Sequence, residues 1–272
     1  MTSSISTIEI PKRQQRSGIL NVARGVAWRS ITTYYRNPAL VLPTLIFPLL
    51  FLASFGGSLQ RLSKLPTFDY APGFTTYIWS FNILQGGTVA GAFIGFALLR
   101  DFENGFMRRL FLASGNRLGI VLGYSVVALT RTLTSVSIVT VVGLLVGARP
   151  TGGIGYFLLA IVLICLTGQA ACMWGVGVAS RLRTIQAGPL IQMPTFISFF
   201  LAPLFVPLEL LHGWLRTAAT YNPMSRVIMG VRDLMAGSFD RVPLAFAAAI
   251  GLNALLVIWA VRGMRVAERA GA

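Results

Sequence analysis

Six runs of the chain are almost free of charge, and they fix what it can fold into. Residues 38–59, 70–99, 150–180, 184–208 and 242–261 carry no charged side chain, and 118–148 carries only Arg131. A helix that crosses a bilayer needs about 20 mostly apolar residues, because its backbone polar groups must be satisfied internally. Each run meets that length, so the pattern predicts an all-α membrane protein with six transmembrane helices. Composition agrees: 55% of the 272 residues are hydrophobic and 11% are charged. A soluble domain carries about a quarter charged residues, and a disordered chain is poor in apolar ones. Both classes are excluded. Residues 1–35 hold no separate long apolar core, so no cleavable signal peptide is expected ahead of the first span.

The charge that remains is basic: 23 Lys and Arg against 8 Asp and Glu, a net +15. Such an excess suits nucleic acid or an anionic membrane surface. Its distribution favours the membrane. With the N-terminus in the cytoplasm, 15 basic residues flank the cytoplasmic ends of the spans, including Lys12, Arg13 and Arg16. Seven flank the outer ends, including Arg61 and Lys64. The positive-inside bias therefore places both termini in the cytoplasm, and no nucleic-acid partner is expected. Cys165 and Cys172 lie about 10 Å apart along one helix, beyond disulfide reach, and read as buried packing thiols.

Three segments beside the spans carry a structure of their own. Residues 18–37 show moderate amphipathicity, with Val22, Val26, Trp28 and Ile31 among basic residues. They read as an interfacial helix lying in the cytoplasmic leaflet, with a solvated N-terminal helix as the alternative. Asn37-Pro38 is the corner into the first span. Residues 100–117 read RDFENGFMRRLFLASGNR. Here Asp101 is expected to cap a short helix bearing Phe102, Phe106, Leu110 and Phe111 at helical spacing. That helix is either a docking surface for a soluble partner or a plain connection. Residues 207–241 contain two short helical patterns, one marked by Leu208, Leu211, Trp214 and Leu215, the other by Val227, Met229, Val231 and Leu234. They break at Asn222-Pro223, and the second ends at Gly237. Too polar to span and too apolar for water, they are expected to dip into the outer leaflet as short re-entrant helices.

Individual residues inside the spans also stand out. Gly87, Gly91 and Gly95 recur every four residues and offer a smooth face for a close helix contact, either within the subunit or along a subunit interface or pathway. Pro189, Pro194 and Pro203 interrupt the fifth run, as static bends or as a moving element. Arg131 lies roughly 18 Å into the third span, with no acid in any span to pair with it. Carbonyls, a partner subunit or an anionic lipid-like substrate would satisfy it; alternatively the span begins later and the side chain snorkels. His212, the sole histidine, lacks the converging ligands a metal or catalytic site needs.

The motif D101-F-E-N-G-F-M-R-R-L110 between spans two and three, and the string Trp214-Leu215 … Asn222-Pro223 … Arg226 … Arg232 … Gly237 before span six, resemble the ABC-2 type permeases. The pattern is most similar to the daunorubicin-resistance and nodulation-export type, and covers the chain from about Gly18 to Val266. The resemblance implies a six-helix transmembrane domain over residues 38–266, with short cytoplasmic tails at 1–17 and 267–272. It implies an N-terminal elbow helix, a cytoplasmic coupling helix (100–117) and an external helical segment (207–241). It also implies a bacterial plasma-membrane exporter of two permeases, identical or related, with two ATPase subunits. Asp101, Phe102, Glu103, Phe106, Arg108 and Arg109 would dock the ATPase, and ATP and Mg would bind only there.

The chain itself has no Gly-x-x-x-x-Gly-Lys-Ser/Thr phosphate loop, so hydrolysis must come from another polypeptide. Three other function classes compete with a permease. An ion-coupled transporter commonly uses intramembrane acids, whereas Asp101, Glu103, Glu209, Asp233 and Asp240 lie at or beyond span ends, as do Glu9 and Asp69. An intramembrane protease needs a Ser/His or Asp pair within spans, and none is present. A non-transporting membrane scaffold is compatible with the same sequence.

Overall fold

The computed structural model describes residues 18–58, 70–113, 117–204 and 207–269, in which ten α-helices and no strands occur. Lys12, Arg13, Arg16, Arg61, Lys64, Glu9 and Asp69 lie outside the described residues.

The helices begin and end where local chemistry dictates. Helix α1 (Ile19–Arg36) stops at Asn37, whose backbone is extended because a following proline disfavours the helical region. Pro38 then opens α2 (Pro38–Ser58), at the first-turn position where a missing N–H costs nothing. Helix α3 (Gly73–Glu103) breaks at Asn104-Gly105, where Gly105 takes a positive φ of 66°. Helix α4 (Phe106–Ala113) follows, then α5 (Arg117–Leu145) and α6 (Gly153–Leu182).

Helix α3 is the centre of the bundle: 83% of its most apolar stretch is buried, against 17% in α2 and 17% in α10 (Val242–Arg269). Its glycine face meets α6. A Cβ on Gly91 would land on the Gly168 carbonyl, and one on Gly95 would sit 2.8 Å from the Gly175 Cα. The two helices run parallel with backbones in direct contact, the approach that small residues permit. The Gly87–Gly91–Gly95 face therefore lies inside the chain, with Gly87 against Ile164 and Thr132. Helix α10 packs along α6, where Asn253 Nδ2 donates to the Leu166 carbonyl at 2.8 Å.

Among the described residues five helices, α2, α3, α5, α6 and α10, are long and apolar enough to cross a membrane. The expected fifth span over 184–208 is not one of them. A 3-10 turn (Ile185–Ala187) leads into α7 (Gly188–Phe200), of 13 residues and about 20 Å, followed by a turn through Leu204. Prolines account for the interruption: Pro189 sits in the first turn, Pro194 removes one donor within the helix, and Pro203 lies beyond its end. The segment still runs the length of α3. It starts where Glu103 accepts the Ile185 N–H and reaches the opposite end, where Pro203 and Leu204 meet Arg232 near Tyr70.

Other expectations need correction. Helix α1, expected at the cytoplasmic interface, packs along α5: Gly119 and Gly123 receive Val22 and Val26, and Tyr35 Oη bonds Thr134 Oγ1. Asp101 caps no helix, because α3 continues two residues past it. The Phe102, Phe106, Leu110, Phe111 pattern is divided between α3 and α4 by the Asn104-Gly105 break. Leu208–Leu210 form a 3-10 turn, and α8 (Gly213–Tyr221) begins only after it. Cys165 is half-buried, whereas Cys172 is buried as expected.

The second of the two short helices expected in 207–241 matches its expected bounds. α9 (Pro223–Ala236) is capped by the Asn222 side chain, which accepts the Met224 N–H at 3.0 Å, and ends at Gly237 in the left-handed region. Val227, Val231 and Leu234 bury its apolar face against α6 and α10.

Candidate functional site

Polar residues gather at the two ends of the bundle and at one point between them. At the α4 end, the Arg29 guanidinium grips Asp101 through two bonds, Nη1 to Oδ2 at 2.8 Å and Nη2 to Oδ1 at 2.7 Å. Tyr124 Oη adds a third bond to the same carboxylate at 3.2 Å. The guanidinium also lies 3.7 Å from the centre of the Phe106 ring. One arginine thus ties α1 to α3 and to the first residue of α4. Its hydrogen bonds to Asp101 raise its pKa above the ordinary value, against an opposing effect of burial.

Glu103 accepts the Ile185 N–H at 2.6 Å and the Thr184 hydroxyl at 3.3 Å, holding the α6–α7 connection to the end of α3. Phe102 rests against Phe111 of α4. With Met107 buried beneath Tyr124, the inner side of α4 is fixed. Arg108, Arg109 and Leu112 face outward and are exposed. Of the six expected docking residues, Asp101 is therefore buried and engaged within the chain. Phe102 and Phe106 are half-buried, while Glu103, Arg108 and Arg109 are accessible.

Between the ends, Arg131 is 3% exposed and lies 4.3 Å from the centre of the Tyr34 ring. Its buried Nε finds no hydrogen-bond partner. Tyr34 in turn bonds Thr44 of α2 at 3.2 Å. Since α5 starts at Arg117, Arg131 sits about 21 Å along it, packed against α1. A cation–π contact holds this arginine to α1 where the sequence offered no acid.

At the α9 end, Arg232 is 4% exposed. Its Nη1 donates to the Pro203 carbonyl at 2.7 Å and its Nη2 to the Leu204 carbonyl at 2.5 Å, with the guanidinium stacked 3.4 Å from the Tyr77 ring centre. Tyr70 Oη donates to the Arg232 backbone carbonyl at 2.8 Å. Burial lowers the Arg232 pKa and raises that of Tyr70. Next to it Asp233 is taken by Arg241, with Nε to Oδ2 at 2.9 Å, which raises the Arg241 pKa. Asn222 also donates from Nδ2 to the Ser198 carbonyl of α7 at 2.6 Å. Arg226 reaches the Thr220 carbonyl at 3.4 Å, Gly237 packs on Gly152, and Trp214 is 74% exposed on α8.

Two hollows accompany these contacts. An apolar cleft of about 280 Å³ opens among α3, α6, α7, α9 and α10, lined by Thr88, Thr167, Trp174, Thr195, Ser198 and Leu256 among others. A second cavity of about 230 Å³ lies at the α9 end. Among the described residues no cluster of His, Cys, Asp or Glu is suited to hold a metal ion.

Residues 23–236 match the ABC-2 type transporter family. The chain belongs to that family. It is 28% identical over 262 residues to the daunorubicin resistance ABC transporter permease protein DrrB1 of Streptomyces coeruleorubidus, a match covering 90% of this chain and 86% of the relative. It is 24% identical over 216 residues to a chain named as a transport permease, ycf38, of Porphyra purpurea, covering 79% and 74% of the two. With five long apolar helices and permease relatives, this ABC-2 chain is a multi-pass membrane protein.

The sequence singled out Asp101, Arg131 and Arg232 without their partners. Arg29 and Asp101 are 72 positions apart, and nothing local distinguishes Arg29 from the other arginines of α1. Tyr34 and Tyr124 carried no signal beyond being amphipathic residues at a helix position where an –OH finds a partner.

Proposed function

We propose that this chain is the permease subunit of an ATP-driven exporter. In this reading the N-terminus and α4 are cytoplasmic, and the return leg through α7 serves as the sixth crossing, one short helix completed by turns. α8 and α9 then lie in the outer leaflet. Two permeases, identical or related, assemble with two ATPase subunits that bind ATP and Mg, in a bacterial plasma membrane.

The observation that carries the reading is the build of α4. Its inner face is clamped through Phe106 and Met107, and its outer face presents Arg108, Arg109 and Leu112, exposed among the described residues. A short rigid helix with a basic, partly apolar outer face suits an acidic groove of a soluble protein. Movement received there passes through Arg29 to α1 and through Asp101 to α3. The apolar cleft, rimmed by hydroxyls, suits an amphipathic cargo, and the likeness to a daunorubicin resistance permease points to a drug, an antibiotic or a lipid-linked molecule.

The test is affinity co-purification of the permease with the ATPase subunit encoded beside it. Arg108→Glu with Arg109→Glu should abolish association while leaving the unfolding free energy of the isolated permease within about 0.5 kcal/mol of the parent. Undiminished association and ATP-dependent export by this double variant would remove the docking role from α4.

A further inference from the structure

The cavity of about 230 Å³ at the α9 end is lined by Tyr70, Tyr77, Glu209, Arg232 and Arg241 together with Pro203, Pro207, Leu208 and Met229. Its charges are unevenly matched. Arg241 is neutralised by Asp233 through a two-oxygen ion pair. Arg232 holds only carbonyl oxygens and a tyrosine ring, and its buried Nε has no hydrogen-bond partner. A guanidinium has five N–H donors, so the bonds to Pro203 and Leu204 leave donors for a ligand. Glu209 stands on the 3-10 turn at the same cavity, exposed. A buried cation and an exposed carboxylate, whose charge also acts on Arg241, thus share one hollow, and among the described residues Arg232 and Glu209 form no ion pair with each other.

We propose that this cavity binds a zwitterionic phosphoethanolamine headgroup, its phosphate on Arg232 and its primary ammonium on Glu209. A simple anion would answer Arg232 and be repelled by Glu209; a simple cation would meet the reverse. A phosphate diester carrying an ammonium two carbons away satisfies both, and the hollow is of headgroup size. A primary ammonium offers three N–H donors to the Glu209 carboxylate, whereas a choline group offers none. The lipid source is favoured because, on the exporter reading above, this end of the bundle lies at the outer headgroup level. The proposal rests on that placement alone and not on the ATPase.

The experiment uses the purified full-length permease in nanodiscs of phosphatidylcholine doped with equal parts of phosphatidylethanolamine and phosphatidylglycerol. Lipid retained by the released protein is read by native mass spectrometry. The wild type should retain phosphatidylethanolamine about tenfold over either other lipid, the scale of one charge-assisted hydrogen bond. Glu209→Gln, an exposed change that leaves the fold intact, should erase that preference and raise retention of phosphatidylglycerol. Arg232→Lys should weaken retention of both phosphatidylethanolamine and phosphatidylglycerol. Free O-phosphoethanolamine at millimolar concentration should displace the lipid, and inorganic phosphate should not. Equal retention of the three lipids, an unchanged preference in Glu209→Gln, or equal displacement by inorganic phosphate would each overturn the proposal. Labelling of Asp240→Cys by a membrane-impermeant maleimide in cells separately tests the placement. Labelling only after permeabilisation would overturn the topology, and with it the outer-leaflet source, whatever the ATPase assay shows.

Discussion

At the α4 end, Arg29 meets a carboxylate and keeps 43% of its side chain exposed; at the α9 end, Arg232 is buried and meets carbonyl oxygens. The two sites use the same side chain for different work. Arg29 joins three helices through a pair that water still reaches, so the contact is of modest strength and can be remade. Arg232 replaces the missing backbone partners of an irregular stretch, the turn after α7, where prolines leave carbonyls without helical donors. In apolar surroundings those carbonyls have no alternative partner. The α4 end is built as a joint, and the α9 end as a plug.

The contrast can be broken in order of expected effect. Arg232→Ala strands the Pro203 and Leu204 carbonyls and should cost about 3 kcal/mol or more, read as loss of folded permease after detergent extraction and heating. Asp101→Ala should cost about 1–2 kcal/mol, because Arg29 is half-exposed and regains water when released. Its clearer signature is faster hydrogen exchange in α1. An Asp101→Ala loss equal to that of Arg232→Ala would erase the distinction between joint and plug. Arg241→Gln should lower stability by about 1 kcal/mol in the same melting assay, since Asp233 is only 5% exposed but keeps the residue 241 backbone N–H and can still accept from a glutamine amide. A larger drop would mean that the α9 end depends on its rim as much as on Arg232.

Features set by neighbours in sequence were legible. The bounds of α9 follow from Asn222-Pro223 and Gly237, whose conformations are local. The corner at Asn37-Pro38 and five long apolar helices followed from composition and a single proline rule. Features set by distant partners were not. Asp101 looks like a helix cap until Arg29 and Tyr124, from two other helices, are placed around it. The fifth run has the length and hydropathy of a span, and only its prolines hinted that the helix would be cut to 13 residues. Arg131 was recognisable as costly, but its stacking on Tyr34 depends on α1 lying along α5, which no local pattern encodes.

The contact of Gly91 with Gly168 and of Gly95 with Gly175 bears on how such a molecule can move. Side chains at a helix interface can re-rotate to absorb a small slide; two backbones in contact have nothing to rotate. A slip of one residue, about 1.5 Å, would drive the Gly168 carbonyl toward the Cβ of a neighbour of Gly91. α3 and α6 therefore travel together as one keel.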